Sequence, residues 1–203
     1  MALERVLQLE EDSRLKVKRV SAPAQQPVTR TEVAQHLNLD ADQEQADGAL
    51  LDRLIKAATS WCEEYLNRQL ITATWANFYN IFDEPLQVWY PPVQSIAFLE
   101  YKDDQGTTKA VPSVDFVFDN TVDPAEISLA AGKTWPSSLE DEVNVIEVQA
   151  KCGYGDSPDD IPEDIRVAIL MKIASMYEDR RAGKETAVTA AENLLRPHQV
   201  RLF

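Results

Sequence analysis

The stretch KCGYGDSPDDIPEDI, from Lys151 to Ile165, holds the residues whose types and spacing could do chemistry. It brings two glycines together with five carboxylates, which are Asp156, Asp159, Asp160, Glu163 and Asp164. A glycine-containing turn that opens a helix can bind phosphate, and clustered carboxylates can bind a divalent cation. One hypothesis is therefore a metal-dependent hydrolase or nuclease that uses Asp156, Asp159, Asp160 and Glu163.

The order of these residues argues against a phosphate loop and against a calcium loop. Five negative charges would repel a phosphate group. A calcium loop places its oxygen ligands around a central glycine and ends in a distal glutamate, whereas here Gly153 and Gly155 precede all the acids. The sequence also lacks the P-loop, zinc-protease, nucleophile-elbow and dinucleotide-binding signatures.

A structural interpretation accounts for the same stretch. The glycines permit a turn between a strand and a helix, and Asp159 or Asp160 would cap that helix. Pro162 fits the first helical position. Glu163 and Asp164 would complement the positive end of the helix dipole. This interpretation predicts a strand-to-helix turn whose carboxylates act as caps, with the hydrolase kept as the alternative.

Other reactive side chains are few. His36 and His198 have no partner at a recognisable spacing, so we interpret both as surface residues. Cys62 and Cys152 lack the close spacing of a zinc or redox pair and are predicted to be buried free thiols. We therefore expect no bound metal and no cofactor.

The balance of acidic and basic residues disfavours some classes of function. The 203-residue chain carries 34 acidic and 20 basic residues, for a formal charge of −14. Such a molecule repels nucleic acids and anionic membranes, which disfavours a sequence-reading nucleic-acid binder. The N-terminal residues lack a signal-peptide core, and no run of about 18 apolar residues occurs. We expect a soluble intracellular protein with no membrane partner.

The first part of the chain predicts an arm and two helices. Residues 1–28 are predicted to be an N-terminal arm, which is either a disordered end or pairs as an edge strand where Leu15 to Val20 alternates. Thr29 and Glu32 match a capping box, which predicts the start of a short helix. From about Asp42 to Asn67 the apolar residues share one face, which predicts a long helix packed on one side.

Residues 70–152 have β character. Short segments rich in β-branched and aromatic residues are separated by Asp, Gly, Pro and Ser, which predicts a compact antiparallel sheet. Asp103 to Gly106 is predicted to be a hairpin tip. Pro91 and Pro92 should end a strand, because proline cannot donate to the ladder.

The last third is predicted to be helical. Apolar residues cover more than half of the wheel of the helix that starts at Pro162, so it must be buried on several sides, either centrally in the fold or against a neighbouring subunit. A shorter helix runs from Thr186 to Leu195. The residues that we assign to subunit packing are Ile165, Ile169, Ile173, Met176 and Tyr177.

These elements predict an α+β fold that is mainly α. We expect a bundle of about four helices with an inserted small antiparallel β-region. The main domain covers residues 29–195, with helices in 29–67 and 162–195 and the β insertion at 70–152. The arm at 1–28 precedes it and a C-terminal tail at 196–203 follows it.

Four collinear segments resemble a known family. They are PVTRTEVAQHLNL, LLDRLIKAATSWCEEYLNRQLITATW, PPVQSI, and the Gly-Tyr-Gly-Asp turn with IPEDIRVAILMKIASMYEDR. The most specific parts are R-x-L-I-T-x-T-W, Arg68 to Trp75, and G-Y-G-D with I-P-E-D-I-R, Gly153 to Arg166. Together they resemble the head-tail connector (adaptor) proteins of long-tailed bacteriophages, prophages and gene-transfer particles, over roughly Pro27 to Leu195.

The resemblance implies a structural virion protein and no enzyme. In that family many copies, typically twelve, form a ring beneath the portal protein and join the DNA-filled head to the next connector, stopper or tail protein. The ring would lie in the neck of the virion and assemble in the cytoplasm of the bacterial host. The family's portal contacts, carried over to this chain, imply portal-binding residues Arg196, His198, Arg201 and Phe203.

Two features bear on that implied role. DNA would pass through the ring without sequence-specific binding, and an acidic channel would let it slide because each Lys or Arg contact to phosphate adds affinity. The N-terminal arm is longer than the family core requires, and the resemblance does not indicate which protein it would contact. A stopper or tail-terminator protein of another connector layer is a further alternative.

Overall fold

The computed structural model describes residues 16–179 and 188–200. The chain divides into two compact units. Within the described residues, the β-unit comprises residues 16–22 and Ala73–Cys152, and the helical unit comprises Pro23–Thr72 and the described residues from Gly153 onward.

Antiparallel strands build the β-unit, and eight of them lie within the described residues. They are β1 (Val17–Ser21), β2 (Ala73–Tyr79), β3 (Leu86–Val88), β4 (Val93–Lys102), β5 (Thr108–Ala110), β6 (Phe116–Asp119), β7 (Ala125–Leu129) and β8 (Ile146–Cys152). One sheet has the order β1-β2-β8-β4-β5 and the other the order β3-β7-β6. Their apolar faces share a core whose largest buried side chains are Leu86, Leu99, Ile127 and Ile146.

The turn residues of the β-unit lie where the sequence predicts them. Pro91 and Pro92 stand between β3 and β4, so the prediction that they end a strand is confirmed. Asp103 begins the turn between β4 and β5, and its carboxylate accepts hydrogen bonds from the backbone N–H groups of Gln105 and Thr107 at 3.0 and 2.9 Å. The predicted hairpin tip is therefore also confirmed.

The helical unit contains α1 (Arg30–His36), α2 (Ala41–Leu66), α3 (Glu163–Asp179) and α4 (Val188–Leu195). The capping box at the start of α1 is confirmed, because the Thr29 side chain accepts from the N–H of Glu32 and the Glu32 carboxylate accepts from the N–H of Thr29. A second box, from Asp40 and Gln43, starts α2. None of the helices in the described residues is long and apolar enough to cross a membrane.

One core lies between the helices. The α2 helix contributes a single buried face, which includes Leu51, Ile55 and Leu66, as the sequence predicts. The fully buried residues of α3, Ile165, Ala168, Ile169 and Ile173, share one face, and the partly buried Leu170, Met171, Met176 and Tyr177 widen it. The helix packs against α1, α2 and α4. This arrangement puts α3 at the centre of the helical unit.

The prediction of a mainly α bundle with a small β insertion is wrong. The described residues form four helices and eight strands in two antiparallel sheets, with about 35% helix and 28% strand. The strands between residues 73 and 152 build a second hydrophobic core of their own. The arm adds to it, because β1 joins the five-stranded sheet as an edge strand.

Candidate functional site

The strand-to-helix turn after β8 needs both of its glycines. Gly153 has φ +129°, and a Cβ atom there would lie 2.7 Å from the backbone nitrogen of Thr72. The backbone on either side pairs with the segment after α2, because the N–H of Tyr154 donates to the carbonyl of Leu70 and the N–H of Thr72 donates to the carbonyl of Gly155, both at 2.9 Å. A Cβ atom on Gly155 would overlap the Asp160 carboxyl.

The caps that the sequence predicts in this turn serve a different element. Asp160 accepts from the N–H of Ser157 at 2.9 Å, and the Ser157 hydroxyl accepts from the N–H of Asp159 at 3.3 Å. This box closes a short 3-10 turn, Pro158–Asp160, ahead of α3. Pro162 lies one residue before the helix, where its carbonyl accepts from the N–H of Ile165 at 3.1 Å and from the N–H of Arg166 at 3.3 Å, the second being the first α-helical hydrogen bond.

Arg166 connects the start of α3 to the start of α1. Its guanidinium pairs with Glu163 at 2.8 Å and with Glu32, and its Nε donates to the carbonyl of Pro27 at 3.4 Å. Burial raises the pKa of Glu32, but hydrogen bonds from the Thr29 hydroxyl and N–H, together with the charge of Arg166, outweigh it and leave the pKa below its usual value. The capping box and the ion pair are therefore one network.

The remaining acids of the stretch do not converge. Asp164 contacts the His198 ring, with Oδ2 2.6 Å from Nε2. Asp159 lies 4.0 Å from the Arg166 guanidinium, and Asp156 is exposed. Within residues 16–179 and 188–200, no three His, Cys, Asp or Glu side chains are grouped so that they could hold a metal ion. The geometry supports the structural interpretation of the stretch.

The residues that we assign to subunit packing divide into two sets. Ile165, Ile169 and Ile173 are fully buried within the single chain. Met176 and Tyr177 are partly exposed, although the Tyr177 hydroxyl donates to Asp47 at 2.6 Å. The wide arc of apolar residues on α3 is therefore explained by its central position in the helical unit, before any contact with another subunit is considered.

The C-terminal segment, which we define as Arg196–Val200, is bound to the end of α2. Its Val200 N–H donates to the carbonyl of Leu66, and the side-chain amide of Asn67 donates to the carbonyl of Val200, both at 2.9 Å. Arg68 Nε donates to the carbonyl of His198 at 2.5 Å.

Two of the four predicted portal-binding residues lie in this segment, in the 3-10 turn Arg196–His198. Arg196 is exposed and His198 is half-buried. Arg201 and Phe203 lie outside the described residues.

Sequence reasoning did not identify Asn67 and Arg68 as the residues that hold the C-terminal segment. Asn67 did carry a signal, because it follows the last apolar position of α2 and asparagine tolerates the left-handed conformation that ends many helices. Its φ is +53°. Nothing local marks Arg68, whose partner is 130 residues further along the chain.

Comparisons with known proteins give a clear result only at the level of structure. No family model matches the chain, and no curated protein matches its sequence. The fold is that of chains in gene transfer agent particles. A chain of the "Virion of native gene transfer agent (GTA) particle" superposes with a TM-score of 0.74 at 22% identity, covering 92% of this chain and 97% of that one.

Two neck structures also contain chains with this fold. A chain of the "Neck of empty GTA particle computed with C6 symmetry" matches with a TM-score of 0.74 at 22% identity. A chain of the "Neck of native GTA particle computed with C12 symmetry" matches with a TM-score of 0.71 at 21% identity. Both matches cover 92% of this chain and 97% of the other, so the β-unit and the helical unit are both included in the shared fold.

Proposed function

We propose that the chain is a structural protein of a phage-like particle, a head-tail connector of the adaptor type in the virion neck. The observation that carries this proposal is the fold shared with GTA neck chains over nearly the full length of both. The role involves no reaction, which agrees with the use of the acids after β8 as caps and ion-pair partners. Assembly would take place in the cytoplasm of the bacterial host.

The proposed assembly is a ring of this chain, with twelve copies. Chains of the same fold come from one neck computed with C12 symmetry and another computed with C6 symmetry, and the first of these supports twelve copies. Head-to-tail contacts close into a ring when the rotation between copies closes. We assign part of the contact to the half-exposed residues Met176 and Tyr177 of α3, while Ile165, Ile169 and Ile173 support the helix from inside.

The portal protein is the proposed partner on one side of the ring, and the next connector, stopper or tail protein is the partner on the other. The C-terminal segment would meet the portal through Arg196 and His198, with Arg201 and Phe203 following. Exposure of Arg196 supports this, because its side chain is free to reach a partner.

The ring would leave a path for DNA. Between residues 73 and 152 the chain has 13 acidic residues and 4 basic ones, and the whole chain carries a charge of −14. Each cation that contacts a phosphate would add affinity, so an acidic surface favours passage without sequence-specific binding. A stopper or tail terminator is the alternative, and the sheet content of about 28% is compatible with it.

The test is reconstitution with the portal protein of the same phage-like particle. Electron microscopy of the mixture should show a ring seated on the portal. The Arg196→Glu variant should weaken portal binding at least about tenfold, since the change reverses a charge at the contact. Arg53→Glu, the same change at an exposed position of α2, is the matched control and should bind normally.

Two outcomes would contradict the proposal. A protein that stays strictly monomeric with and without portal would exclude the adaptor. Rings that form without binding the portal would favour the stopper or tail terminator, because only the adaptor layer contacts the portal directly.

A further inference from the structure

The first described strand is attached to its sheet mainly through the backbone. β1 is the edge strand of the five-stranded sheet and pairs antiparallel with β2. Four of its five residues are exposed. Its side-chain contacts include three: Lys16, just before the strand, donates to Asn80 at 3.1 Å, the Ser21 hydroxyl accepts from the N–H of Thr74 at 3.1 Å, and the Arg19 guanidinium lies 5.8 Å from the centre of the Trp75 ring.

The segment after β1 is an exposed linker. β1 belongs to the β-unit, whereas the chain from Pro23 belongs to the helical unit. Ala22 and residues 24–26 are exposed, and Pro27 and Val28 are buried again. Six residues, 22–27, span up to about 20 Å when extended. This is the arrangement in which an element can pair either within its own chain or with a neighbouring copy.

We propose that β1 is exchanged between adjacent copies of the chain, so that the β1 strand of each subunit completes the five-stranded sheet of the next. The β2 ladder, Asn80 and Trp75 are present in each copy, so exchange keeps these contacts of β1. Only the path of the linker differs, which makes exchange of an identical element a low-cost route to assembly. The inference rests on the ring proposed above.

Charge favours the same pairing. Lys16, Lys18 and Arg19 are basic, whereas residues 73–152 carry 13 acidic and 4 basic side chains. A basic strand is therefore attracted to the acidic β-unit of any copy, and with β1 paired the β2 edge is covered. In a closed ring each copy donates one strand and receives one, so no copy is left with an open edge.

The test uses two variants that each carry one added cysteine, because the added cysteines can then be joined only by a bond between chains. Lys18 and Ala76 are ladder partners. Chains with Lys18→Cys and chains with Ala76→Cys, tagged differently, are coexpressed with the portal and oxidised. The native Cys62 and Cys152 are buried and do not interfere. Exchange predicts a mixed disulfide dimer on a non-reducing gel of the ring fraction.

A matched control and the other outcomes complete the test. Lys18→Cys paired with Ser95→Cys, an exposed position on β4, should give no dimer, since β4 lies two strands from β2. Exchange would be overturned if rings formed without a Lys18–Ala76 cross-link between chains, while a chain carrying both cysteines formed the disulfide within itself. The proposed ring would still stand in that case. Particles no larger than a monomer would overturn the proposed function and the exchange together.

Discussion

Asp160 lies directly over Gly155, so that a Cβ atom at position 155 would overlap the Asp160 carboxyl. That carboxyl accepts from the N–H of Ser157 at 2.9 Å and closes the 3-10 turn ahead of α3. The cap can reach the backbone only because residue 155 has no side chain. The glycine and the acid, five residues apart, are therefore one structural unit.

Gly155→Ala should destabilise the protein by about 1–3 kcal/mol, because the methyl group must displace Asp160 or strain the turn. Urea denaturation followed by circular dichroism measures this. Removing the carboxyl as well, in Gly155→Ala/Asp160→Ala, should cost less than the sum of the two single changes, since the overlap is then gone. Strictly additive costs would show that the two residues do not interact.

The pH dependence of stability should report on Glu32. Its pKa is below the usual value in the folded protein, so the unfolded chain takes up a proton first as the pH falls. The stabilisation is complete above the ordinary pKa of about 4.5 and is lost as the pH falls through the lower, folded value. Glu32→Gln should lower stability at pH 7, and the difference from the natural protein should shrink towards pH 3 in urea titrations.

A matched variant separates this network from general acid denaturation. Glu64 is an exposed glutamate on α2. Glu64→Gln should follow the natural protein across the same pH range within experimental error. If the stability of Glu32→Gln likewise matched that of the natural protein at every pH, the contacts of Glu32 with Thr29 and Arg166 would contribute nothing to stability.

The sequence predicts the local features of this protein well. The Thr29 and Glu32 box and the turn at Asp103 follow from neighbouring residue types, because their hydrogen bonds close within a few residues. In the strand-to-helix stretch the sequence predicts the turn, but its acids cap the 3-10 turn and not the helix. The candidate site is less predictable. Arg166 reaches Glu32 from 134 residues away, and no local pattern specifies that partner.

Sheet partners explain the error in fold class. β2 pairs with β8, which follows it by about seventy residues, and β1 pairs with β2 across the whole of α1 and α2. Alternating residues identify strands but not their partners, so two sheets with a common core cannot be distinguished from one small sheet. The sequence shows that strands occur between residues 70 and 152, but the weight of the sheets in the fold is underestimated and their organisation is not visible.

The two cysteines should be unreactive in the folded protein. Burial raises the pKa of Cys62, and of Cys152, to about 12. Ellman's reagent at pH 8 should therefore detect neither thiol in the native protein and both in urea. Stability should fall as the pH rises above about 9, the ordinary thiol value, because the unfolded chain ionises there first. Rapid labelling of either native thiol would show that its core opens readily.

Asn67 should hold the C-terminal segment through its side chain and end α2 through its backbone, and two substitutions separate these roles. Asn67→Gly keeps the left-handed conformation, with φ +53°, and loses only the hydrogen bond to the Val200 carbonyl, for a cost of about 0.5–1.5 kcal/mol. Asn67→Ala adds the strain of that conformation, about 1–2 kcal/mol more. Hydrogen exchange at the Val200 amide, which donates to Leu66, should accelerate in both variants. Unchanged exchange in Asn67→Gly would mean that the Leu66 contact and the burial of Val200 hold the segment without the side-chain amide.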